Sequence, residues 1–222
     1  MDEHIVHCLN VGEIAVNCWI YPFDDSTLKP DSPRSCVVID PGDEASIIID
    51  HLKTLKLYPK YILLSHGHFD HLGALAELAS VFPAVIAIHK DDASYLGPMA
   101  AAAHKAVLKA ALGSDLFPGD FGPLPEPGML LSEGDELGPL KVIHLSGHSP
   151  GSIAFYDEKA KILFSGDTLF HAGYGRTDLP GGNTKELEKS LKRLFSMDGD
   201  IKVLPGHGPE TSIGKEAGRC FF

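Results

Sequence analysis

The chain has 222 residues, of which 44% are hydrophobic and 22% charged, a composition typical of a folded domain with an apolar core. A net charge of −11 argues against a nucleic-acid partner, and no apolar run is long enough to cross a membrane. The four cysteines are scattered, and the acidic N-terminus does not have the layout of a signal peptide. We therefore expect reduced thiols and a cytoplasmic protein.

The first half of the chain predicts strands that alternate with helices. Apolar runs bounded by turn residues predict strands at 17–21, 35–40, 61–64 and 84–88. Apolar residues at helical spacing predict helices at 44–56 and 72–82. Strands separated by helices in this way are typical of an α/β fold.

The second half begins with a predicted helix at 92–112 and a Pro/Gly-rich stretch at 118–128. Further strands are predicted at 141–144, 152–156, 161–164 and 201–204, with a helix at 185–194. Because strands followed by a helix occur twice, we predict two sheets packed face to face with helices outside, a four-layer αββα sandwich. One domain is expected over 1–222, with a helical and Pro-rich insertion at about 92–128.

A histidine-rich hexapeptide at 66–71 directly follows the predicted strand at 61–64. Three imidazoles and one carboxylate stand within it, on His66, His68, Asp70 and His71. Its position between a strand end and a helix start is one where the binding sites of α/β proteins concentrate. Imidazole is the commonest protein ligand for zinc and also suits iron, so the hexapeptide predicts a metal site.

Three later segments repeat one design, an apolar strand that ends in a glycine-bounded candidate ligand. The candidates are His148, Asp167 and His207. Seven ligands are too many for one tetrahedral ion with an open position, but they suit two ions that share a carboxylate and a water. The sequence therefore predicts two divalent metal ions, with zinc favoured and with iron or manganese also suited to this ligand set.

This joint pattern resembles the metallo-β-lactamase-fold superfamily, and within it the small glyoxalase II-like hydrolases (hydroxyacylglutathione hydrolase-like proteins). The resemblance covers nearly the whole chain. The supporting stretches are 38–42, 148–152, 166–170 and 175–182, in addition to the seven candidate ligands.

The resemblance implies a role for each ligand. The first metal would be held by His66, His68 and His148, the second by Asp70, His71 and His207, and Asp167 would bridge both. A metal-bridging hydroxide would attack the carbonyl of a small, anionic thioester or ester, and the metals would stabilise the oxyanion. Asp70 would be the catalytic residue that orients the hydroxide and accepts a proton.

Several alternatives share these residues. Persulfide dioxygenases use one iron, held at positions matching His66, His148 and Asp167, and lactone or ester hydrolases share the ligand set. A non-catalytic metal-binding protein is the alternative of another class. Metallo-β-lactamases typically lack an aspartate at the position of Asp167, which disfavours antibiotic hydrolysis.

The thiol of the substrate stays open at this point. Full-length glyoxalase II carries a C-terminal helical domain for glutathione, whereas this chain ends at 222, soon after His207. The oligomeric state, monomer or dimer, stays open as well.

Four other polar residues are candidates for supporting roles. Asp40 stands at a strand end before Pro-Gly, which predicts an acceptor for a ligand imidazole. His144 is expected to be packed or hydrogen-bonded rather than ligating. His104 and Lys105, in the predicted insertion, are candidate contacts for an anionic substrate.

Overall fold

Two six-stranded β-sheets form the centre of the fold in a computed structural model, which describes residues 5–25, 33–98, 100–113 and 124–219. The first sheet has its strands in chain order: β1 (His7–Val11), β2 (Val16–Pro22), β3 (Arg34–Ile39), β4 (Leu57–Leu63), β5 (Val85–His89) and β6 (Met129–Leu131). β1, β2 and β3 pair antiparallel, whereas β3 to β6 are parallel. The C-terminal ends of the parallel strands therefore share one edge.

The second sheet is mostly antiparallel, with the order β14-β13-β10-β9-β8-β7. Its strands are β7 (Glu136–Leu137), β8 (Leu140–His144), β9 (Ile153–Asp157), β10 (Ile162–Gly166), β13 (Lys202–Pro205) and β14 (Thr211–Ser212), and the separate hairpin is β11 (Leu169–Phe170) with β12 (Gly173–Tyr174). β10 and β13 are a parallel pair. Their C-terminal ends therefore lie side by side.

All the described α-helices except the third cover the outer faces of the sheets, and the third packs through Val107 against Tyr95 and Leu179. The helices are α1 (Ala45–Thr54), α2 (Leu75–Val81), α3 (Ala100–Leu112), α4 (Thr184–Phe195) and α5 (Ile213–Ala217), with 3-10 helices at Phe69–His71 and Lys90–Tyr95. Neighbouring residues of β4 show the layering: Ile62 packs in the cluster with residues of α1 and α2, whereas Leu63 packs with Phe155 and Phe164 of the other sheet. Side chains alternate along a strand, so each sheet has one helical and one sheet neighbour. The predicted four-layer αββα sandwich is confirmed.

The predicted helix at 92–112 is wrong in its first part. Residues 90–95 form a 3-10 helix instead, and α3 starts only at Ala100. Gly97, with a φ of +78°, and Pro98 separate the two elements. Left-handed backbone and a residue without an N–H both interrupt a helix. In the Pro/Gly-rich stretch, 118–123 lies outside the described residues.

Three of the four cysteines, Cys8, Cys18 and Cys36, are free, and Cys220 lies outside the described residues. Burial raises the pKa of the Cys36 thiol to about 12. Across the described ranges, no helix combines the length and apolar character that a membrane span requires.

Candidate metal centre

Strand ends bring the seven predicted ligands to one edge of the sandwich. His66 and His68 lie in the loop after β4, and the 3-10 helix that follows carries Asp70 and His71. His148 lies in the turn between β8 and β9. Asp167 and His207 follow β10 and β13, and the parallel pairing of these strands places the two residues together.

The ligand atoms form three overlapping groups, in each of which every pair of atoms is within 4.8 Å: His66 with His68 and His148, His66 with His71 and Asp167, and Asp70 with His71 and His207. Asp167, which belongs to the second of these groups, connects the first group with the third. Its Oδ2 is 3.7 Å from His148 Nε2 and 3.6 Å from His207 Nε2, and its Oδ1 is 3.5 Å from His71 Nε2. This is the position that a bridging carboxylate would occupy.

The two halves of the cluster differ in exposure. His66, His68 and His148 are all buried. The side chains of Asp70 and His207 are 17% and 23% exposed, and Nε2 of His207 is 3.4 Å from Oδ2 of Asp70. The half that contains Asp70 therefore faces the solvent from which a substrate would enter.

Hydrogen bonds behind the cluster orient its imidazoles. His148 Nδ1 donates to the carbonyl of Arg176 at 2.8 Å, and His66 Nδ1 donates to the Ser65 hydroxyl at 3.0 Å. The Ser65 hydroxyl in turn donates to Asp40 at 2.7 Å. Since each Nδ1 carries the proton, each Nε2 presents a lone pair to the cluster.

Asp40 also supports His71, with 3.0 Å between its Oδ2 and His71 Nδ1. It is buried, at a φ of +52°, and Oδ1 accepts the Ser65 N–H at 2.7 Å. Asp40 thus lies where the sequence predicts an acceptor for a ligand imidazole.

The pKa values of the inner imidazoles suit metal binding. Burial and the neighbouring imidazoles hold the pKa of His66 well below its usual value, and burial with His148 lowers the pKa of His68 to about 3. Both are therefore neutral at pH 7, as a ligating imidazole must be.

The carboxylates of the cluster are ionised. Burial opposes the charge on Asp167, but His71, His148 and His207 outweigh it and hold the pKa of Asp167 far below its usual range. Burial likewise opposes the charge on His71, yet Asp167, Asp70 and Asp40 raise the pKa of His71 well above its usual value. The carboxylates thus attract positive charge into this buried space, which a metal ion would supply.

The unpartnered ligand atoms of the cluster also fit metal ions. His66 Nε2 and His148 Nε2 lie 3.2 Å apart, although both present lone pairs, an arrangement that a shared cation stabilises. Within the described part of the chain, His68 Nε2, His71 Nε2 and Asp167 Oδ1 are buried without a hydrogen-bond partner. Buried polar atoms need partners, and a metal ion provides one.

Sequence reasoning missed Asp92, which joins the two ligand-bearing loops. Its carboxylate is fully buried and accepts three hydrogen bonds: from Gly67 N–H at 3.0 Å, from the Ser149 hydroxyl at 2.6 Å and from Gly151 N–H at 2.7 Å. Gly67 lies between His66 and His68, and Ser149 follows His148. Asp92 therefore fixes the spacing between the loops that carry these ligands.

Replacing Asp92 with asparagine should weaken metal binding. The amide NH₂ cannot accept, so at least one buried donor loses its partner, at a cost of about 1–3 kcal/mol in unfolding free energy. We expect metal affinity to fall about 10–100-fold, as for other residues that support metal ligands. Competition with a chelator and thermal unfolding measure the two effects. The half-exposed neighbour Asp91, as Asp91→Asn, is the control, and equal losses in both variants would contradict this role.

Other candidate residues lie away from the cluster. His144 Nε2 donates to the Pro150 carbonyl at 2.9 Å and its ring stacks on His89 at 4.1 Å, so it is packed as predicted. His104 is buried and its Nε2 donates to the Tyr95 carbonyl at 2.8 Å, so the expectation that it contacts an anion is wrong. Lys105 is exposed on α3.

Comparisons with known proteins identify relatives that match most of this chain. A model of the metallo-beta-lactamase superfamily matches residues 28–207. Hydroxyacylglutathione hydrolase GloC of Haemophilus influenzae is 34% identical, over 84% of this chain and 86% of that protein. The crystal structure of TTHA1623 in a di-iron-bound form is 37% identical, with a TM-score of 0.76 over 96% of this chain and 97% of that one. The structure of BLEG-1 B3 metallo-beta-lactamase is 31% identical, with a TM-score of 0.78 over 96% of each chain.

Proposed function

Because this chain belongs to the metallo-beta-lactamase superfamily, we propose that it is a metal-dependent hydrolase that cleaves thioesters, of the hydroxyacylglutathione hydrolase type. The observation that carries the proposal is Asp167, whose Oδ2 lies between His148 and His207 at 3.7 and 3.6 Å. A carboxylate so placed suits two ions better than one. The similarity to GloC supports the thioester class.

In this proposal the ligands divide as the family resemblance implies. The first ion is assigned to His66, His68 and His148, the second to Asp70, His71 and His207, and Asp167 to both. Such ions, when bound, lower the pKa of a coordinated water and polarise a carbonyl. Zinc is favoured, and the di-iron form of TTHA1623 makes iron the first alternative to test, with manganese next.

Asp70 is the proposed proton acceptor. Its side chain is partly exposed at the open half of the cluster, and Oδ2 is 3.4 Å from His207 Nε2. Burial opposes its ionisation, but the imidazoles of His71 and His207 lower the pKa of Asp70 below its usual value. It is thus an ionised carboxylate at neutral pH, able to accept a hydrogen bond from an attacking water and to orient it.

The alternatives divide on the number of metals. A persulfide dioxygenase keeps nearly the same residues but uses one iron, at the positions of His66, His148 and Asp167, whereas the proposed hydrolase also loads the group of Asp70, His71 and His207. The number of metal ions per chain therefore separates the two, and the similarity to GloC favours hydrolysis of a small-molecule thioester or ester. The proposed compartment is the cytoplasm, which the free thiols of the described cysteines support.

A paired measurement tests the proposal. We expect two metal ions per chain and hydrolysis of S-lactoylglutathione or of a simpler thioester. Oxygen uptake on glutathione persulfide and turnover of a β-lactam are measured beside it. One iron per chain with oxygen uptake and no hydrolysis would contradict the proposal, as would a preference for the β-lactam.

A further inference from the structure

A cleft of about 610 Å³ opens directly beside the metal centre, within the size range of small-molecule sites. It lies between the β1–β2 turn and the 3-10 helix that carries Asp70, and Leu108 of α3 also lines it. Asp70 itself is part of the lining. A substrate whose carbonyl reaches the cluster can therefore extend into this cleft.

Five of the eight side chains that line the cleft, glycines aside, are apolar. Val11, Val16 and Leu108 are buried, Phe69 is half-buried, and Ile14 is 53% exposed at the tip of the β1–β2 turn. A large apolar side chain at an exposed turn costs solvation that a bound apolar group would recover. Ile14 is thus placed as a contact for a ligand.

The turn that holds Ile14 is fixed in place. Gly12 N–H donates to the Glu44 carboxylate at 3.1 Å, and the Asn10 side-chain amide donates to the Ala15 carbonyl at 2.9 Å. Ala15 N–H also donates to the Gly12 carbonyl at 3.1 Å and closes the turn. The cleft is therefore formed before a ligand enters.

The charge of the cleft excludes one class of ligand. Apart from Asp70, which is a proposed metal ligand, its acidic residues are Glu13 and Asp43, and the described lining includes no lysine, arginine or histidine. A carboxylate on the substrate would be repelled here and would find no cationic partner among these residues. The cleft thus disfavours the anionic group expected from the sequence, at least for the part of the substrate that enters it.

We propose that this cleft binds an uncharged, apolar group of the substrate next to the scissile bond. The inference rests on the proposed hydrolase function and narrows its substrate to a thioester or ester with an apolar chain on the side that faces Asp70. That chain can belong to the acyl group or to the thiol, and the two arms of the test distinguish them.

The metal-loaded protein is assayed on two thioester series. The first keeps N-acetylcysteamine as the thiol and compares acetyl, butyryl, hexanoyl and succinyl groups, and the second keeps the acetyl group and compares alkyl thiols with mercaptosuccinate. In one of the two series, the acyl or the thiol series, we expect kcat/KM to rise about 3- to 4-fold per methylene that becomes buried. The acidic member should be at least about 10-fold poorer than the apolar one of similar length.

Two variants connect the preference to the cleft. Ile14→Ser should flatten the dependence on chain length, and Glu13→Lys should raise the rate on the acidic substrate relative to the apolar one. The control is Ile47→Ser on α1, because Ile47 is similarly exposed at 48% and does not line the cleft. All three change exposed positions, and thermal unfolding confirms that each variant is folded.

The outcomes separate the two hypotheses. Hydrolysis with no chain-length effect in either arm, or with the acidic member preferred, would overturn the cleft inference and leave the hydrolase intact. No hydrolysis of any thioester would overturn the proposed function. Calorimetric binding of the matching non-hydrolysable thioethers then tests the cleft directly: tighter binding of the hexyl than of the carboxymethyl compound supports it, and the reverse overturns it.

Discussion

Replacement of Asp167 with alanine is expected to abolish hydrolysis and to remove at least one metal ion. Asp167 Oδ2 lies within 3.7 Å of both His148 Nε2 and His207 Nε2, and Oδ1 is buried without a hydrogen-bond partner in the described structure. Asp167 shares one group of candidate ligands with His66 from the buried half and His71 from the other half. We expect activity to fall by more than about 100-fold, the largest loss typical of residues that only support metal ligands.

Metal analysis and steady-state kinetics measure the result. Asp167→Asn tests the charge, because the amide keeps the shape of the side chain and lacks its negative charge. His144→Ala is the matched control, since His144 is close in sequence to His148 but packs outside the cluster. Two metals and near-normal activity in Asp167→Ala would contradict the bridging role, and metal loss in His144→Ala would contradict the assignment of ligands.

Replacement of Gly206 with alanine is expected to damage the site from the backbone. A Cβ at this position would overlap Asp167 Oδ1 and would lie 2.8 Å from His71 Cε1. The backbone cannot move aside easily, because Gly206 N–H donates to the Gly166 carbonyl at 2.9 Å and its own carbonyl accepts the Asn17 N–H at 2.8 Å. Overpacking of this kind costs about 1–3 kcal/mol in unfolding free energy.

Because the overlap falls on Asp167 and His71, we expect metal content and kcat to fall together in Gly206→Ala. Gly128→Ala is the control: its Cβ would meet neighbours only at 3.5 Å or more, an ordinary contact distance. Circular dichroism separates local damage from failure to fold. Normal metal content and normal kcat in Gly206→Ala would show that the strand ends have more room than the structure gives them.

The ligands could be predicted from the sequence because each one has a local signature. The hexapeptide 66–71 concentrates donors in one loop, and His148, Asp167 and His207 each stand next to glycine at the end of an apolar strand. Such signatures need no knowledge of the partner strands. The layered architecture could be predicted as well, because a set of strands followed by a helix occurs twice along the chain.

Features that depend on distant backbone could not be predicted in this way. Asp92 is one of two adjacent aspartates, and only the structure shows that it accepts the N–H groups of Gly67 and Gly151. Every residue except proline has a backbone N–H, so a side chain that accepts hydrogen bonds from backbone N–H groups has no sequence motif that identifies it. The buried position of His104 is hard to predict for a related reason: apolar residues of α3 are only weakly concentrated on one side, so the sequence does not reveal which face the helix buries.

The contacts of β2 also bear on how the protein is made. Trp19 Nε1 and the Asn17 amide both donate to the Pro205 carbonyl, at 2.9 and 3.0 Å, so one of the first strands holds the loop of His207. During synthesis on the ribosome the hexapeptide emerges long before β13, and a domain generally folds as a unit. A nascent chain therefore exposes half of a metal centre, and a complete one forms only when the last strands are released and dock on the first.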